Sequence, residues 1–127
     1  MARYDKYDPV GGGHRAPLAA DQAKIPGNPL GVGLNTSGRV VIGAGNTGII
    51  GVICVTKDMK AGDIVDVMKF GEVVEMISTT AGTVYTANTT TGVLSNAAAS
   101  ATQTPIGYTV EADRLIVCRA ANPFIGT

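Results

Sequence analysis

The apolar positions of this chain come in short runs of aliphatic and β-branched residues, broken by glycine and polar turns. The stretch 57–77, KDMKAGDIVDVMKFGEVVEMI, shows the pattern best. Ile64, Val65, Val67 and Met68 precede Gly71, and Val73, Val74, Met76 and Ile77 follow it. The spacing predicts a charged turn, a strand over 64–70, a reversal at Gly71 and a second strand over 72–78 paired with the first. The same logic gives strands at 30–34 and 39–42 around the hairpin-like loop 35–38, and a β-branched strand over 49–56. It also gives 83–87 and 92–94 flanking the polar turn 88–91, and a last hairpin of 105–111 and 114–119 turned at Ala112 and Asp113. Residues 95–104, SNAAASATQT, lack an apolar stripe and form a surface loop with room for a short helical turn. Turns recurring at roughly eight to twelve residues imply an all-β module, a small barrel or sandwich of short antiparallel strands. No fixed period supports a solenoid.

Residues 1–29 differ. They carry charges, three consecutive glycines at 11–13 and prolines at 9, 17, 26 and 29, without a sustained apolar period. Such a segment cannot build its own core, so the division is an extended N-terminal arm over 1–29 and a β-domain over 30–127. The arm holds Arg3, Tyr4, Tyr7, His14 and Arg15, and Tyr and Arg are enriched where proteins anchor on a partner. These five are the candidate contact residues.

Composition narrows the function. A chain of 127 residues is one domain able to bury a core of its own, and with no Trp, two Phe and four Tyr that core is aliphatic. Seventeen glycines and six prolines favour short strands over long helices. Ten basic and ten acidic residues cancel, so the basic excess of a nucleic-acid binder is missing. The longest apolar run, 49–55, is far short of the roughly 20 residues of a membrane helix, and the first residues lack the apolar segment of a secretion signal. The expectation is synthesis in the cytoplasm, with neither nucleic acid nor membrane as partner. Cys54 and Cys118 stand in apolar strand contexts and are expected to be buried free thiols.

Three chemistries tempt and fail. Gly43-Ala-Gly-Asn-Thr-Gly48 has the letters of a dinucleotide-binding turn, but the mechanism needs a helix next, and IIGVICVT is β-branched and interrupted by Gly51. Gly43, Gly45 and Gly48 instead suit a tight strand-to-strand connection using positive φ. Lys60-Ala-Gly-Asp63 with Gly71-Glu-Val-Val-Glu-Met76 has the texture of a lipoate- or biotin-carrying domain, but no lysine stands where the modification requires it. Asp58, Asp63, Asp66, Glu72 and Glu75 have no partner placed to shift a pKa, and the serines have no basic neighbour in view. The reading is a non-enzyme with no cofactor and no metal, His14 being the only histidine.

The order of features in the second half resembles the head decoration (cement) proteins of tailed bacteriophages. The residues that carry it are Gly51-Val-Ile-Cys54, Met59-Lys-Ala-Gly-Asp-Ile-Val-Asp-Val-Met68, Gly71-Glu-Val-Val-Glu75 and Ala81-Gly-Thr-Val-Tyr85. Pro105-Ile-Gly-Tyr-Thr-Val-Glu-Ala112 and Leu115-Ile-Val-Cys118 complete it. The resemblance implies a β-barrel-like decoration domain that trimerises on the capsid exterior, with the arm reaching onto the major capsid protein and no catalytic residues. Another virion component, a tail-tube or head–tail joining protein, is the first alternative, and a small ligand-binding β-barrel the next.

Overall fold

The computed structural model describes residues 14–118, and every regular element among them is a strand. In chain order these are β1 (His14–Pro17), β2 (Leu30–Leu34), β3 (Val40–Gly45), β4 (Gly51–Ile53), β5 (Ile64–Val67), β6 (Phe70–Glu75), β7 (Val84–Asn88), β8 (Leu94–Ser95), β9 (Gln103–Glu111) and β10 (Arg114–Cys118). They form a five-stranded sheet in the order β6-β10-β9-β7-β8, a three-stranded sheet β3-β2-β4, and the pair β1-β5. The all-β expectation holds, and the sheets are layered as a sandwich.

The layering follows from β2, LGVGL, whose first four residues are buried. A strand covered on both faces usually reads as an unbroken apolar run; this one alternates a large residue with glycine. Leu30 and Val32 enter a core with Ala16, Leu18, Val40, Ile53, Val55, Val65 and Val67. Gly31 points the other way, by the two-residue period of a strand. A Cβ there would stand 2.5 Å from the Cβ of Ala87 on β7, so the missing side chain is what lets the two sheets approach. β4 divides its residues likewise. Ile53 faces the first core, while Val52 joins a second one with Ile49, Tyr85, Ala87, Ile106, Leu115 and Val117. The three-stranded sheet is thus a wall shared by two cores, with the five-stranded sheet on one side and β1-β5 on the other. Among the described residues only single bridges, Leu18 to Val40 and Val52 to Met68, tie the β1-β5 pair to its edges, in place of the continuous ladders of a closed barrel.

The hairpin expected at Gly71 does not form. β5 pairs with β1, and β6 pairs with β10. Val65 and Val67 fill the first core and Val74 the second, so the chain crosses between layers at 68–69 instead of folding back. Gly71, at φ +90°, lies where β6 slips register against β10 between Ile116 and Cys118. The loop 35–38 does turn tightly, with the Ser37 and Arg39 amides donating to Asn35 Oδ1. The strands it joins nevertheless pair in parallel, with register shifts, an arrangement that normally needs a crossover of about a dozen residues. Glycine permits it: a Cβ on Gly33 would lie 2.0 Å from the Ala44 carbonyl oxygen. Gly43, Gly45 and Gly48 have φ of +89°, +55° and +83°, the tight connection expected of the glycine motif. The β7-β8 and β9-β10 hairpins form as expected; of the expected loop 95–104, residues 96–102 lie between strands without helix, Ser95 belonging to β8 and the last two residues to β9.

Residues 14–29, placed by composition in the arm, are extended but docked along their own domain. Leu18 is 1% exposed, and burying such a side chain contributes about 2 kcal/mol. Gln22 and Met59 exchange two backbone hydrogen bonds of 2.8 Å. Asp58 Oδ1 accepts from the Lys24 amide, and Asp21 Oδ1 from the Ala61 amide. The charged turn 57–63 is therefore a latch for the root of the arm. The first thirteen residues of the expected arm lie outside the described residues.

If the Gly31–Ala87 approach sets the distance between sheets, Gly31→Ala overpacks it and lowers urea-unfolding stability by about 1–3 kcal/mol. Ala87→Gly in the same chain restores part of the loss, giving a favourable coupling in a double-mutant cycle. Additive effects would place the two residues out of contact.

Candidate interaction surface

Of the five candidate contact residues, Arg3, Tyr4 and Tyr7 lie outside the described residues. His14 and Arg15 open β1, opposite Val67 and Asp66 of β5. Arg15 Nε donates to Asp66 Oδ1 at 2.7 Å, with both side chains largely exposed. An exposed pair of this kind contributes at most about 1 kcal/mol, so it positions Arg15 more than it stabilises the fold. What the structure brings together is therefore the root of the arm, an exposed cation on a strand, and the latch behind it.

A second surface was not foreseen from the sequence. The inner face of the five-stranded sheet carries Val74, Tyr85, Ile106, Leu115 and Val117. Its outer face is also apolar. In register across four strands stand Val73 of β6, Ile116 of β10, Tyr108 of β9 and Val84 of β7. Phe70, opposite Cys118, and Val110 extend the stripe. Val73, Val84, Tyr108, Val110 and Phe70 are each 45–60% exposed. On β9 the usual order is inverted: Tyr108 and Val110 face out while Thr109 between them is 1% exposed. Thr109 is satisfied inside, donating to the Thr80 carbonyl at 2.5 Å and accepting from the Thr83 amide at 3.1 Å. Next along the strands, Arg114 lies in register between Glu75 and Glu111 and is ion-paired to Glu111. The available signal was apolar residues at adjacent positions, Val73-Val74 and Leu115-Ile116-Val117, more than a strand with one buried face needs.

Both cysteines, expected to be buried, are exposed and unpaired. Strand alternation explains it: Cys54 falls between Ile53 and Val55, and Cys118 follows Val117, all buried. Cys54 lines a shallow cleft of about 90 Å³ with Ile25, Pro29 and Glu75. Partial burial there, and secondarily the Glu75 carboxylate, push its thiol above the ordinary 9.0. Among the described residues no three His, Cys, Asp or Glu side chains gather as a metal site, and no helix is long and apolar enough to cross a membrane.

No protein-family model matches the sequence, and no curated protein is similar to it in sequence. Among solved structures, a protein of Mycobacterium phage Patience is similar in fold. Its TM-score is 0.71 at 20% identity, and the match covers 91% of this chain and 95% of that one. At this identity the likeness shows a shared fold, extending over nearly the whole of both chains.

The raised Cys54 thiol has a measurable consequence. As pH rises, it gives up its proton later than a free thiol, so in a Cys118→Ser chain its iodoacetamide alkylation has a pH midpoint above that of an unstructured cysteine peptide measured alongside. A midpoint at or below that value would show that the cleft does not desolvate it.

Proposed function

We propose that this chain is a structural protein of a phage virion, a decoration protein that binds the outer surface of the capsid as a homotrimer and stabilises the major capsid protein lattice. The observation that carries the reading is the fold shared over nearly full length with a phage protein. The ordered decoration-like segments between residues 51 and 118 support it from the sequence.

The physics of such a role suits the surfaces described. A cement protein binds the assembled shell and not its loose subunits, and so shifts the equilibrium toward the shell by mass action. Many copies on a closed lattice act together, so each needs only modest contacts. An arm can add a strand to an exposed sheet edge, drawing affinity from main-chain hydrogen bonds. The latch at 58–63 would hold the root of that arm in a fixed direction, lowering the ordering cost of docking it.

Co-sedimentation with undecorated heads of the same phage tests this. Full-length protein is expected to pellet with heads. A chain lacking residues 1–13 is expected to bind at least about tenfold more weakly. The deletion ends before Ala16 and Leu18, which the core needs, so the shortened chain keeps its cooperative melt. Arg15→Glu is expected to change stability by less than about 1 kcal/mol while weakening head binding. Full-length protein that stays in the supernatant with every head preparation would rule the role out.

A further inference from the structure

We propose that the apolar stripe on the outer face of the five-stranded sheet is where copies of this chain meet. The inference rests on the homo-oligomer in the proposed function and assigns its contact surface.

The first argument is the placement of aromatic residues. Only three lie among the described residues, Phe70, Tyr85 and Tyr108. Tyr85 is in the core, while Phe70 and Tyr108 are 50% and 45% exposed on this one face. In a chain so short of aromatics, leaving two in water is costly unless they serve as contact anchors.

The second is area. Phe70, Val73, Val84, Tyr108, Val110 and Ile116 together offer roughly 500 Å² of apolar surface, at the upper end of the largest patch on a typical monomer. With a polar rim this approaches the roughly 800 Å² per partner of a stable interface. The described chain covers only one end of the face itself. There the 96–102 loop lies over β7, with Thr86 Oγ1 donating to the Ala97 carbonyl at 3.0 Å.

The third is charge, which favours a second copy over a partner of opposite sign. The row bordering the stripe mixes signs, Glu75, Arg114 and Glu111, and the whole chain has a formal net charge of zero. Copies therefore meet without a one-signed field to repel them, and a mixed rim can pair with its like.

The test is sedimentation velocity of the full chain over a wide concentration range, beside Val73→Glu and Tyr108→Glu, with thermal melts of each. Wild type is expected as an oligomer. The variants are expected as monomers at concentrations where wild type is assembled, their dissociation constants raised at least about tenfold. Tyr108→Phe is expected to keep the wild-type mass. If a glutamate variant does not melt cooperatively, Val73→Thr and Tyr108→Ser replace it, since threonine keeps the β-branched strand preference. A wild type that is monomeric throughout, or variants with unchanged mass, overturns the inference. So does a monomer that binds a hydrophobic dye only after residues 119–127 are removed, which would make the chain's own tail the occupant. Head binding on the same samples separates the two readings. Variants that keep their mass but lose heads would turn the stripe toward the shell, overturning this inference and leaving the decoration role. Variants that fall apart while wild type never binds heads would uphold the interface and remove the role.

Discussion

The fold depends on a side chain that is absent. At Gly31 the backbone of β2 meets Ala87 of β7 so closely that a single added carbon would collide. That contact sets the distance between the shared wall and the five-stranded sheet, and hence the thickness of the second core. On the opposite face of the same strand, Leu30 and Val32 fill the first core. One five-residue strand thus serves two cores by giving one face volume and the other room. Close packing makes such an arrangement intolerant of small changes in volume, because interiors fill space at nearly crystalline density.

The surfaces follow from that construction. Because β2 and β4 spend both faces on cores, the outer face of the five-stranded sheet and the β1-β5 pair are the sides that neither core occupies among the described residues. The sheet face is apolar and aromatic in the middle with mixed charge at one border, which suits contact between like chains. The β1-β5 side presents Arg15 on a strand whose continuation is fixed by Leu18 and the 58–63 latch. These two faces divide the work in the proposed role: one joins copies, and the other directs an arm toward the shell.

Much of this was legible in the sequence, and what was not has a physical cause. Strand positions, the glycine connection at 43–48 and the β9-β10 hairpin could be read because alternation and turn chemistry are local. Pairing is not local. Residues 57–77 have the pattern of a hairpin, yet β5 and β6 lie in different sheets, because alternation records which face is buried and not which strand lies alongside. The parallel β2-β3 contact was hidden for the same reason. The cysteines were misjudged because apolar neighbours signal a strand without saying which of its faces a given residue occupies. The outer stripe was missed because Val73, Tyr108 and Ile116 come together only through register, and because Thr109 takes the inward position that an apolar residue would normally hold.

The most direct measurement for the proposed role is electron cryo-microscopy of heads saturated with the 12.9 kDa chain. A decoration protein gives added density on the outer surface of the shell at three-fold or quasi-three-fold positions, in clusters of copies joined through their five-stranded sheets. Density confined to the neck, the tail or the shell interior would contradict the role and point to another part of the virion.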